Sequence, residues 1–132
     1  MQYRRHYQKG ATYFFTINLA DRSSDLLVKE VATLRHSFKI VKQKHPFYIA
    51  AIVILPDHLH MLCTMPNNDA DFSKRIKLIK YYFSYNIAKT ECISSSRLKK
   101  SERGIWQRRF WEHCIRDESD YRAHIDLSLI HI

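Results

Sequence analysis

Apolar positions change period several times along these 132 residues, and each change marks an element. Thr12-Tyr-Phe-Phe-Thr-Ile-Asn-Leu19 is β-branched and aromatic, which predicts a strand. The polar break Asp21–Asp25 follows, with residues suited to cap a helix. Leu27, Val31, Leu34, Phe38 and Val41 then recur at helical spacing, so a helix is expected to about Lys44. His45-Pro46 stops it, because the residue before proline disfavours helical dihedrals. Phe47–Leu55 is almost wholly apolar and reads as a central strand buried on both faces. Pro56-Asp57 is a turn, His58–Met65 the returning strand, and Pro66–Asp69 a loop. Phe72, Ile76, Ile79, Phe83 and Ile87 mark a second helix, with Lys74, Arg75, Lys77 and Lys80 assigned to its wet side. Residues 92–104 read as a flexible loop, Ile105 to about Ile115 as a strand, and the remainder from Asp117 as a helix with acids in its first turn.

The order β-α-β-β-α-β-α contains the split βαβ, ferredoxin-like pattern: an α+β fold with a four-stranded antiparallel sheet and two helices on one face. The other face is open and is the expected place for chemistry. Length fits one domain over residues 1–132, with residues 1–9 as a basic arm and 117–132 as an incomplete C-terminal helix. Two glycines, three prolines and 45% hydrophobic residues exclude collagen-like, linker-rich and disordered classes. No apolar run is long enough to span a bilayer, and the polar start Met1-Gln-Tyr-Arg-Arg-His6 lacks a signal core. Cys63, Cys92 and Cys114 form no C-x-x-C pair, which suggests reduced thiols and a cytoplasmic location.

Charge narrows the partners. Twenty-two Lys+Arg against thirteen Asp+Glu give +9, which favours a polyanion, nucleic acid before a membrane surface. The arm holds Arg4, Arg5 and Lys9 with no acid, while residues 113–132 are net negative. Tyr3-Arg4-Arg5-His6-Tyr7 and Trp106-Gln-Arg108-Arg109-Phe-Trp111 each combine cations for phosphates with aromatics for base stacking. In the second run the aromatics are expected partly in the core, with Arg108 and Arg109 outside.

His58-Leu59-His60 is the most informative tripeptide. Alternate strand residues share a face, so both imidazoles point one way, about 6.6 Å apart along the strand, and Leu59, Met61 and Cys63 the other. Two imidazoles at that spacing can converge on one divalent ion; a pair of surface or capped histidines is the competing reading.

These residues carry a resemblance. His58-Leu59-His60 is similar to the histidine–hydrophobic–histidine motif of the HUH single-strand DNA nucleases. The chain resembles, within them, the REP-associated tyrosine transposases. The blocks are Tyr3–Tyr7, Tyr13–Asn18, Leu55–His60, Ile105–His113 and Ile115–Asp126. The resemblance implies binding of single-stranded DNA hairpins formed by palindromic repeats, by a monomer or homodimer with no membrane. It implies cleavage and strand transfer through a 5′-phosphotyrosine, with DNA transposition as the outcome. It implies a Mg²⁺ or Mn²⁺ ion on His58, His60 and a polar residue of the last helix, and contacts from the basic arm to the foot of the hairpin. In the family a tyrosine follows the segment like His124-Ile-Asp126; here that position is Leu127, which has no hydroxyl. No catalytic nucleophile is therefore assigned, and truncation or frameshift after Asp126 is the expected cause. Tyr121 and Ser128 are expected to face elsewhere. His131, one turn after Leu127, is either the third metal ligand or a terminal histidine without that role. The alternatives are a non-catalytic nucleic-acid-binding module on the same sheet, and a zinc protein drawing on His113, Cys114 or His131.

Overall fold

The computed structural model describes residues 8–87 and 104–130, with side chains as far as 126. The elements run β1 Thr12–Asn18, α1 Leu26–Lys29, α2 Val31–Lys44, β2 Tyr48–Ile54, β3 His58–Thr64, α3 Phe72–Tyr85, β4 Trp111–Cys114 and α4 Glu118–Ile130. The four strands form one antiparallel sheet in the order β2-β3-β1-β4, the expected split βαβ arrangement.

Strand periodicity builds the core. Tyr13, Phe15 and Ile17 of β1 and Leu59, Met61 and Cys63 of β3 turn to the helical layer and are almost fully buried. They meet Leu34, Phe38 and Val41 of α2 and Phe72, Ile76, Ile79 and Phe83 of α3. Phe72 lies at the centre, with ring centroids 4.7 Å from Tyr13 and 5.4 Å from Phe15. Each large apolar side chain buried this way contributes about 1.5–3 kcal/mol. Gly10 takes a left-handed φ of 69° where its N–H donates to Pro66 O at 2.9 Å, a conformation L side chains adopt with strain.

Four expectations need correction, the last of them the open face of the sheet. β2 is an edge strand, not a central one: Tyr48 is 66% exposed and Ile52 38%. Arg75 is not on the wet side of α3 but buried, at 4% exposure. Its guanidinium donates to His45 O, Pro46 O, Asp71 O and Asp69 Oδ2 at 2.9–3.1 Å, and so ties the α2–β2 turn to the start of α3. The last strand is four residues, not the eleven from Ile105 to Ile115. Thr16 pairs with Trp111, yet Leu19 bridges to Trp106, so two extra residues must loop out between these pairings. That loop sends Phe110 against Phe15 and Phe72 of the core and leaves Trp111 exposed, so the aromatics of the run lie only partly in the core, as expected. The expected loop 92–104 lies almost wholly outside the described residues.

The second face of the sheet is not bare. α4 packs across it onto β2 and β3. Asp117 starts this helix by accepting the N–H of Asp120 on its carboxylate at 2.8 Å, as an N-cap residue does.

Candidate metal centre on the second sheet face

β3 presents His58 and His60 on the face away from the core, as alternation requires. Their ring centroids are 5.0 Å apart, nearly perpendicular. The Nδ1 of His58 is 2.8 Å from Asp57 Oδ1, and the Nδ1 of His60 is 2.9 Å from Thr16 Oγ1, across the β1–β3 pairing. Asp57 also accepts from Arg22 Nε. Burial pushes the Asp57 carboxyl up, but the hydrogen bonds from Arg22 and His58 outweigh it and hold the group below the usual carboxylate range. An ionised Asp57 and the Thr16 hydroxyl oxygen are both acceptors for an Nδ1–H. An imidazole that donates from Nδ1 presents Nε2 to an ion, with tautomer and ring angle fixed. The donor set therefore fits a divalent cation: two imidazoles, each braced from behind.

Phe14 lines the floor. It stacks on His60 at 5.4 Å and 20°, and meets His124 of α4 at 4.9 Å. His124 in turn stacks on His113 of β4 at 4.6 Å. Asp120 accepts at Oδ2 from Arg116 N at 2.9 Å and lies 2.8 Å from His113 Nε2. The Arg116 N–H first, then His113, hold the Asp120 carboxyl below its ordinary value. Sequence reasoning named His113 only as a guess and missed Thr16, Asp57, Asp120 and His124. The signals were present: Thr16 and His60 share a face of adjacent strands, and Asp120 and His124 are one helical turn apart.

Arg108 and Arg109 are exposed in the loop before β4, as expected, and Trp106 is buried with its Nε1–H donating to Ser84 Oγ at 3.1 Å. Tyr3, Arg4, Arg5, the Leu127 side chain and His131 lie outside the described residues. Cys63 is buried, which pushes its thiol up, and Cys114 is half-buried. No helix among the described residues is long and apolar enough to cross a membrane.

A split βαβ sheet with paired histidines on the returning strand and a helix laid over them defines a class. The family model for IS200-like transposases matches residues 10–122. The chain belongs to that family. It is 46% identical over 125 residues to the REP-associated tyrosine transposase of Escherichia coli K12, covering 95% of this chain and 68% of the relative. A Haemophilus influenzae protein provisionally given the same name is 44% identical over 126 residues, covering 94% and 71%. A REP-associated tyrosine transposase solved bound to a REP hairpin superposes with a TM-score of 0.82 at 43% identity, covering 98% of this chain and 71% of that one.

Proposed function

We propose that this chain is a single-stranded DNA hairpin-binding protein of the HUH tyrosine-transposase type. His58 and His60 hold a divalent ion of the Mg²⁺ or Mn²⁺ class. Leu127 stands where the relatives' nucleophilic tyrosine belongs. The observation that carries the reading is the braced pair, His58 on Asp57 and His60 on Thr16, beneath a helix that packs on the same sheet face. Membership of the family and the hairpin in the related structure supply the substrate class.

An ion bound there would polarise the scissile phosphate and template its geometry. The rest falls to side chains. Arg108 and Arg109, with Arg4 and Arg5 of the arm, neutralise phosphates, and Tyr3 offers a ring on which a base stacks. In a competent relative a tyrosine Oη forms the bond to phosphorus, its proton leaves, and the 3′ oxygen departs to become a free 3′ hydroxyl. Leucine cannot take that role, so this chain recognises its DNA without forming the covalent link.

The test is a capture gel with a labelled single-stranded palindromic hairpin and Mn²⁺. A native gel should show a shifted complex, and the denaturing gel no protein–DNA band. Leu127→Tyr should create the band, and His58→Ala should abolish it in that background. A strong covalent band from the chain as it stands would overturn the assignment of Leu127; its loss in Tyr121→Phe would identify the substitute. Binding that prefers duplex over hairpin, or ignores both divalent ions and both histidines, would favour a plain nucleic-acid-binding module.

A further inference from the structure

His113, Asp120 and His124 are not absorbed by that reading, and we propose that they form a second divalent-cation site, which fastens α4 to β4. One ligand atom from each of the three lies within 4.8 Å of the others. His113 comes from the edge strand, opposite Phe14, while Asp120 and His124 are successive turns of α4. The carboxylate sits between the rings, 2.8 Å from His113 Nε2 at one oxygen and 3.1 Å from His124 Nδ1 at the other. Neighbouring ligands about an ion with bonds of about 2.1 Å stand roughly 3 Å apart, so these separations need little adjustment. The imidazoles are stacked, 4.6 Å apart and near parallel at 16°, so one ring must turn about its side-chain torsions for both to address one point beside the carboxylate.

Exposure fits the same use. The Asp120 side chain is 10% exposed, and those of His124 and His113 are 21% and 38% exposed. The carboxylate is sheltered, while solvent reaches the rings and can complete the coordination sphere. His124 Nδ1 also lies 2.8 Å from Asp120 O, a contact that ligation through Nδ1 would replace. Two imidazoles and one carboxylate suit Mn²⁺, Fe²⁺, Co²⁺ or Zn²⁺. The Phe14 ring, stacked on His60 and tilted against His124, separates this cluster from the His58–His60 pair. The cluster stands on its own geometry; only its meaning, holding α4 over the DNA site, rests on the proposed function.

Equilibrium dialysis against Mn²⁺ or Zn²⁺, with metal content measured by mass spectrometry, tests it. The full chain should bind two ions. His58→Ala with His60→Ala should leave one, and His113→Ala with His124→Ala should leave the other. Asp120→Asn is the milder variant if the double change unfolds the chain, and it should weaken one ion at least tenfold while sparing the second. A single ion removed entirely by the His58/His60 change overturns the second site, as does full binding after loss of His113 and His124 or unchanged affinity in Asp120→Asn. A hairpin-binding failure with two ions retained would sink the proposed function alone.

Discussion

Thr16→Val is the sharpest probe of the braced pair. Valine keeps the β-branched shape that strand β1 favours, so register and packing should survive. What disappears is one oxygen, 2.9 Å from His60 Nδ1. The hydroxyl itself is worth about 1 kcal/mol to folding, a small shift in a urea midpoint. Its worth to the ion is larger. Partners that orient a ligating histidine typically carry 10–100-fold in metal affinity, or about 1.4–2.8 kcal/mol. Calorimetric titration with Mn²⁺ should show the Kd rise by that factor at the His58–His60 site, and Thr16→Ser should largely restore it. A Kd within about twofold of the parent in Thr16→Val would refute the reasoning. It would mean that stacking on Phe14 alone holds the ring, or that His60 ligates through Nδ1.

Other outcomes follow from groups away from the ion. Arg75→Met keeps the apolar stem but abandons three carbonyls and a carboxylate, so urea unfolding should lose about 3–5 kcal/mol; a loss below about 1 would mean the guanidinium is solvated. The hydrogen bond from Arg75, then that from the Asp71 N–H, hold the Asp69 carboxyl below its ordinary value. A lowered folded pKa means this contribution is complete above about pH 4 and fades as pH falls through the folded value. The acid limb of a stability–pH curve should therefore flatten in Arg75→Met, and an unchanged limb would remove Asp69 from the account. Arg108→Ala with Arg109→Ala should weaken every hairpin alike and reduce the salt slope of binding by about 2, read by fluorescence anisotropy across a salt series. An unaltered slope would place the DNA elsewhere.

The sequence disclosed most where one period governed one face. β3 sets His58 and His60 on one side and Leu59, Met61 and Cys63 on the other, so both its core side and its histidine side were legible in the sequence, although Leu62 on the histidine side is buried too. β2 misled because apolar residues on both faces suggested a central strand. Ile49 and Ile54 pack against the core and α4 packs on the strand, yet none of its residues is fully buried and one of its edges pairs with nothing among the described residues. Face coverage and position in the sheet are separate properties, and hydropathy reports only the first. Arg75 misled by its charge alone; its spacing from Phe72 and Ile79 puts it on the apolar stripe. The Asp120 cluster was hidden for a different reason. Its members meet only once α4 lies beside β4, and nothing local encodes that docking.

The edge of β2, unpaired among the described residues, has a consequence for handling the protein. Tyr48-Ile-Ala-Ala-Ile-Val-Ile54 is a seven-residue apolar strand without a charge, the composition of a segment prone to stack into fibrils. The pairing with β3 skips Ala50, so the strand bulges there and its row of amides cannot offer a straight template. That one irregular residue is a safeguard against edge-to-edge growth. Deleting Ala50 would straighten the ladder, and the cost should appear first as thioflavin-positive aggregate in concentrated stocks, before any change in what the protein binds.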